Sequence, residues 1–449
     1  MFGQKLPQWA ILLLAVTTGS PAVRAAEEPR RLRETFAPGY QYHVSVRVEI
    51  TGTLTPPAEK GKPVPKPLDV RGDSAIEYDE RVLDLDAKGV VTKTARICRR
   101  IDFQRTVGDN KQEATIRPAV RRLILLRHNN QEVPFSPDGP LTWGEIDQVR
   151  TDVFTPALVG LLSSEPVSVG DKWTAAKSAI QELTDMERIE EGEVMCRFEQ
   201  IVTVEKRRQA RVSFSGTVRG PGEDGTTQQK LDGFLYFDLE SNHVNYVSLK
   251  GVHSLLDKDN KEVGRVEGRF VLSRQVNTRC KELSDEGLKG VTTEPNADNT
   301  LLLYDNPELG VQFLHARRWR VSGVRGNQVT LDSADGAGGV LLTVEPPSRT
   351  PTGAQFLAES REFLEKQKAK LARVDRPAAV PGAAGLEHFV IEAELGGQAF
   401  VMDYYTWKQR DGGVVVAARL AKEDAAALQK EVERIARSAT VTKKIEVRK

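Results

Sequence analysis

The stretch Gln41-Tyr-His-Val-Ser-Val-Arg-Val-Glu-Ile50 decides how the first part of this chain is read. Tyr42, Val44, Val46, Val48 and Ile50 are apolar, and the residues between them, Gln41, His43, Ser45, Arg47 and Glu49, are polar. Successive side chains of a strand point to opposite faces, so an unbroken period of two marks a strand with one face buried. The same rhythm predicts strands around 74–85, 90–106, 113–127, 193–205, 209–219, 229–239, 243–253 and 262–275. Asp86-Ala-Lys-Gly89, Glu240-Ser-Asn242 and Asp257-Lys-Asp-Asn260 fall between such segments and carry hairpin-turn chemistry. Short strands joined by tight turns predict a large antiparallel sheet, strongly curved or partly closed into a barrel. Pro56 to Pro67 interrupts it as a loop, and 148–163 is expected to hold a short helix crossing one face. Pro166-Val-Ser-Val-Gly-Asp-Lys-Trp173 returns to sheet geometry with Trp173 turned inward.

The rhythm changes past residue 280. Glu282 to Asn299 is polar, contains Gly287, Gly290 and Pro295, and has no period, which predicts a flexible linker. Strands are then expected at 311–314, 319–324, 328–332 and 339–345. A helix over 351–373 follows, with Thr352 as its cap and Phe356, Leu357, Phe363, Leu364 and Leu371 along one face. Strands return at 387–395, 398–408 and 413–420 before a last helix over 423–438, with Leu428, Val432 and Ile435 on one stripe. Runs of strands punctuated by helices predict an α+β sandwich on an antiparallel sheet, and the whole chain is expected to be α+β. The expected organisation is a signal peptide over 1–25, a β-rich domain over 31–281, a linker over 282–299 and an α+β domain over 300–449.

Lys5 followed by the apolar run Trp9 to Val16, and then Val23-Arg-Ala25, has the layout of a cleavable secretory signal. Its apolar core is far short of the ~20 residues that span a bilayer, and no later run is longer and as apolar. The expectation is a secreted or periplasmic protein with no transmembrane anchor once the signal is cleaved. Lys+Arg 64 against Asp+Glu 63 leaves a net charge of +1, which argues against a dedicated nucleic-acid binder. Cys98, Cys196 and Cys280 are an odd set in a long chain, so buried thiols are expected rather than a disulfide framework.

No motif calls for chemistry. Gly220-Pro-Gly-Glu-Asp-Gly225 fits a dinucleotide loop by spelling, but it holds two acids and leads into a strand pattern rather than a helix. Asp84, Asp86 and Gly89, and again Asp257, Asp259 and Glu262, are fragments of a calcium loop placed between strands, and read as solvated turns. His43, His128, His243, His253, His315 and His388 have no metal-ligand spacing and read as polar surface positions on strands, although His243 and His253 fall on neighbouring strand stretches that could bring them together. Arg99-Arg100, Arg121-Arg122, Lys206-Arg-Arg208 and Arg317-Arg318 read as solvated strand faces, with a basic groove for anionic glycans or lipid head groups as the alternative. Tyr405 and Trp407 share one face of a strand and Tyr404 takes the other. No catalytic, cofactor-binding or metal-binding residue is assigned, and no cofactor is expected.

Tyr304-Asp-Asn-Pro-Glu-Leu-Gly-Val-Gln-Phe313, Trp319-Arg-Val321 and the closing Glu433-Arg-Ile-Ala-Arg-Ser438 resemble the PsbP/Mog1 family and its secreted bacterial relatives. Ala316 stands where the family carries a proline before its tryptophan. The resemblance implies a non-enzymatic binding or assembly role and brings no catalytic residues with it. Val169-Gly-Asp-Lys-Trp173 and Leu231-Asp-Gly-Phe-Leu-Tyr-Phe-Asp238 are similar to phrases of secreted bacterial β-rich domains of unknown function, and the curved sheet resembles the half-barrels of periplasmic lipoprotein carriers. Together these give the expectation of an exported, non-catalytic binding or assembly protein with a protein, glycan or lipid partner in the cell envelope. The alternative is a carrier of an apolar ligand in the concave N-terminal sheet, and an unrecognised hydrolase ranks behind both.

Overall fold

Alternation becomes pairing in the computed structural model, which describes residues 28–56, 65–128, 131–150, 152–222 and 225–445. The expected signal peptide and most of the Pro56–Pro67 loop lie outside the described residues. The N-terminal strands are β1 (Gln41–Leu54), β2 (Leu68–Leu85), β3 (Val91–Val107), β4 (Asn110–Thr115), β5 (Arg122–His128) and β6 (Gln131–Phe135). After helix α1 (Trp143–Arg150) come β7 (Lys172–Thr174), helix α2 (Lys177–Thr184) and β8 (Glu191–Val204). Strands β9 (Arg207–Gly222), β10 (Gly225–Asp238), β11 (His243–Leu256) and β12 (Glu262–Val276) complete the set.

All of them join one twelve-stranded antiparallel sheet in the order β6-β5-β3-β2-β1-β12-β11-β10-β9-β8-β7, with β4 paired to β3. Its one long-range seam is β1 against β12, running from Tyr42 opposite Val276 to Leu54 opposite Gly264. Residues 141–189 cover one end of the inner face. Ile146, Val149, Phe154, Leu158, Leu161, Ala179 and Ile180 pack there with Tyr42, Val44, Val46 and Leu235 in one core. Burying each such aliphatic side chain contributes about 1.5–3 kcal/mol, which holds the cover down without a cross-link. The helix expected over 148–163 is broken: α1 ends at Arg150, and Pro156 opens a separate 3₁₀ turn over Thr155–Leu161.

The C-terminal strands are β13 (Leu302–Asn306), β14 (Val311–His315), β15 (Trp319–Arg325), β16 (Gln328–Ser333) and β17 (Gly338–Glu345). Helix α3 (Gly353–Lys366) precedes β18 (Lys370–Val374), β19 (Ala378–Ala379), β20 (Leu386–Leu395), β21 (Gln398–Lys408) and β22 (Gly413–Ala421). Helix α4 (Ala425–Ser438) and β23 (Thr440–Val441) close the described chain. An eight-stranded sheet runs β15-β16-β17-β22-β21-β20-β18 with β19 on β20, and β13-β14-β23 form a small third sheet. Thr352 caps α3 as expected, in a full capping box with Gln355.

Two expectations are corrected. The fold is not α+β: among the described residues strands hold 54% and helices 14%, in three sheets of which none closes, so the fold is β-rich and the large sheet is open. Helix was over-read where a turn intervenes. α3 stops at Lys366, Lys368 takes a left-handed turn conformation (φ 60°), and 370–374 becomes an edge strand instead of more helix. The stretch read as a flexible linker is also anchored at its start: Leu283 is fully buried against Ala95, Ile97, Ile124 and Phe135, and its carbonyl accepts from Arg81 Nη1 at 2.7 Å. Its polar composition concealed two leucines that pack on the sheet, Leu283 and the partly buried Leu288.

Candidate functional site

The inner face of the large sheet is longer than its cover. Along β1 the inward residues pass from buried (Tyr42, Val44, Val46) to half-buried (Val48, Ile50, Leu54). Beyond the cover lies a cavity of about 500 Å³, within the ordinary range of small-molecule sites. Val48, Ile50, Leu231, Leu249, Val266 and Phe270 give it an apolar floor from β1, β10, β11 and β12. Its roof is α2 and the turn after it, held down by Gln229 Nε2 donating to the Thr184 carbonyl at 2.6 Å.

The floor has a trough. Across the sheet one row of paired residues runs Arg105, Gly72, Ile50, Gly268, Gly251, Leu231 and Gly216. Glycine weakens a strand, and in a strand interior it marks a bend or a close approach. Gly251 and Gly268 face each other and both line the cavity. A Cβ on Gly251 would come no nearer than 4.0 Å to any neighbour, and one on Gly268 no nearer than 3.4 Å. The sheet therefore leaves unfilled space at the positions where it has omitted side chains.

A polar wall closes the inner end. Glu80 and Arg96 are buried beneath the cover, and Asp152 is 8% exposed. Glu80 accepts from Tyr42 Oη and Thr94 Oγ1, both at 2.7 Å, and Arg96 donates to Glu80 at 3.2 Å and to Asp152 Oδ2 at 3.0 Å. The Arg96 guanidinium lies 3.7 Å over the Tyr78 ring. Next to it Arg127 pairs with Glu182, whose Oε1 also accepts from Phe154 N at 2.6 Å. Burial, opposed by Arg96, pushes the Asp152 carboxyl up to about 6, and burial lifts Glu132 to about 7. This wall pins the segment after α1 to the sheet and fixes where the cavity ends.

Of the residues singled out in the sequence, most fall elsewhere. Cys98, Cys196 and Cys280 are buried free thiols, and burial pushes Cys98 and Cys196 up to about 12, away from nucleophilic reactivity. Asp86 Oδ1 accepts from the amides of Lys88 and Val90, and Asp257 Oδ1 from those of Asp259 and Lys261, so both acidic turns bond their own backbone. His243 and His253 do not approach each other: they lie on the single strand β11, about 33 Å apart at the rise of a strand. His243 is buried, and burial with the Arg274 charge lowers it to about 4; His253 lines the cavity. Arg99, Arg100, Arg122, Arg207 and Arg318 each pair with a carboxylate, so these cations form no common groove. Tyr404 packs under α3 with Phe356 and Phe389, and Tyr405 packs on the α4 side, so both faces of that strand are core. Among the described residues no cluster of His, Cys, Asp and Glu is arranged to hold a metal ion, and no helix is long and apolar enough to cross a membrane.

Sequence reasoning offered the concave N-terminal sheet as an alternative ligand site but assigned to it none of the residues that line this cavity. Its one local signal is Arg105, which follows Ile101 and Phe103 at inward positions of β3. The glycines that deepen the trough lie on different strands and become neighbours only through register.

No family model matches the sequence, and no curated protein matches it. Solved structures show distant likenesses. The cyanobacterial PsbP (CyanoP) of Synechocystis sp. PCC 6803 shares 14% identity over 31% of this chain and 92% of its own, with a TM-score of 0.24. The Ran-binding protein Mog1p of Saccharomyces cerevisiae shares 9% over 32% of this chain and 96% of its own, at 0.26. Lipovitellin, in a structure describing its lipid–protein interactions, shares 8% over 65% of this chain and 29% of its own, at 0.33. These likenesses are distant, and nothing about the family or function of this chain follows from them.

Proposed function

We propose that this protein is a binding protein that carries an apolar ligand in the cavity on the inner face of its large sheet. The observation that supports the reading is the trough at Gly251 and Gly268: the sheet gives up strand stability there and leaves unfilled volume over an apolar floor. A cavity needed only for folding would be filled, because interiors pack to the density of organic crystals and each void costs contact energy. Half-buried Val48, Ile50 and Val266 leave apolar surface that a hydrocarbon ligand would remove from water at about 25 cal/mol per Å². The signal-like residues 1–25 support placing this carrier outside the cytosol, in the envelope.

Titration of the full chain with N-phenyl-1-naphthylamine, a neutral probe that brightens in apolar surroundings, tests the proposal. Saturable binding is expected, together with its loss in Gly251→Phe, whose ring would occupy the trough. The variant should keep its thermal midpoint, because the position has no positive φ and no neighbour within 3.4 Å of a new Cβ. An unsaturable signal, or probe binding that survives Gly251→Phe in a folded variant, rejects the carrier reading.

A further inference from the structure

We infer that the ligand is an anionic amphiphile, with its hydrocarbon part over the Gly268–Gly251 trough and its acidic head on Arg105. The inference rests on the carrier reading and adds the chemical class of the ligand.

Arg105 ends the cross-strand row that contains the trough: it pairs with Gly72, Gly72 with Ile50, Ile50 with Gly268 and Gly268 with Gly251. Glycine at 72 makes room for the side chain of its cross-strand partner Ile50, which lines the cavity between the trough and Arg105. A Cβ there would meet Ile50 Cγ1 at 3.0 Å, so Ile50 leans over position 72. Arg105 lines the same cavity, and its Nε is buried with no hydrogen-bond partner.

The charges around the cavity do not cancel at that end. Three carboxylates line it, and each is engaged within the protein: Asp152 by Arg96, Glu182 by Arg127 and the Phe154 amide, and Asp185 by a contact of its own. Among the described residues Arg105 has no carboxylate partner and no hydrogen bond. A guanidinium beside an apolar cavity, with its Nε out of water and unbonded, carries a desolvation cost that an entering anion would offset. Its planar fork suits the two oxygens of a carboxylate or phosphate, and a charge-assisted pair of that kind is stronger than a neutral hydrogen bond. An apolar trough and an unpaired arginine in one row of the sheet fit a molecule that is hydrocarbon along most of its length and anionic at one end.

The test is displacement of N-phenyl-1-naphthylamine from the full chain at pH 8 by dodecanoate, dodecyl phosphate and methyl dodecanoate. At least one anion is expected to displace the probe at about a tenfold lower concentration than the ester. The stronger of the two identifies the head as carboxylate or phosphate. Arg105→Gln should bring both anions to the level of the ester while the ester itself is unchanged, which also shows that the variant is folded. Equal displacement by all three in the parent, an anion preference that survives Arg105→Gln, or loss of the ester together with the anions overturns the inference about Arg105. In each of those cases probe binding by the parent still stands, and the carrier reading with it. Absence of saturable probe binding in the parent overturns both.

Discussion

Glu132, on edge strand β6, has a buried carboxylate oxygen with no hydrogen-bond partner among the described residues. Its Oε1 is shielded from water and unbonded, and burial lifts its pKa from the ordinary 4.5 to about 7 despite the nearby Arg96 and Arg127. A raised carboxyl pKa means that the folded state prefers the neutral form. The cost of carrying the charge is full above the folded value, shrinks as pH falls from 7 towards 4.5, and is gone below the unfolded value. Glu132→Gln, which is neutral at every pH, should therefore stabilise the protein by on the order of 1–3 kcal/mol at pH 8. The gain should fade on acidification, and urea unfolding of both proteins at pH 8 and pH 5 measures it. A gain that is equal at the two pH values would mean that Gln packs better, and that the charge is not the cause. Arg96 differs in kind: it is buried but answered by Glu80 and Asp152, so truncating it would strand two carboxylates and cost several kcal/mol.

At the scale of elements, what the sequence disclosed follows from how far the determining interactions reach. β1 was legible because alternation is written residue by residue, and α3 because Thr352 and Gln355 write its start. α2 was not legible: it has eight residues, its N-cap Ala176 offers no side-chain cap, and it is helical because Ala179 and Ile180 have a core to enter. The trough was not legible either, because Gly251 and Gly268 are neighbours only once β11 and β12 take their register. Two glycines of the same row separate structural from functional reasons for omitting a side chain. A Cβ on Gly216 would fall 2.1 Å from the Glu193 carbonyl oxygen, whereas one on Gly251 would meet Leu231 Cδ2 and the Lys230 carbonyl no nearer than 4.0 Å. Gly251→Ala should be neutral or stabilising by up to about 1 kcal/mol, and Gly216→Ala should destabilise by more than that amount. Thermal melts of the two variants decide it, and equal losses would show that the space at Gly251 is needed for folding and not kept for a ligand.

At the scale of the whole molecule, the question is how the two sheet systems depend on each other. One core gathers residues 32–272 together with Leu302, and the cores around the eight-stranded sheet draw on residues from 311 onward. Leu302 is fully buried, bridges to Leu141 in parallel, and is followed by Leu303 N donating to the Leu141 carbonyl at 2.8 Å. Around it Arg320 stacks 3.4 Å over Trp143, and Arg317 donates to the Thr300 carbonyl at 3.0 Å and to that of Pro134. Burial, with Arg150 and Arg320 nearby, lowers Arg317 to about 10, so this junction keeps its cation at a cost and relies on those carbonyls. β13 thus lends a residue to a core that is not its own, while the larger C-terminal cores borrow nothing in return. Leu302→Ala should cost about 2–4 kcal/mol, and the cost should fall on one side only. Hydrogen exchange followed by mass spectrometry is expected to show faster exchange across β1–β12 and unchanged protection across β15–β22. The fragment 300–449, expressed alone, should then keep the protection its β15–β22 amides have in the full chain. Equal loss on both sides of the junction, or an unprotected fragment, would mean that the two sheet systems unfold as one cooperative body and that the seat of Leu302 is part of a shared core.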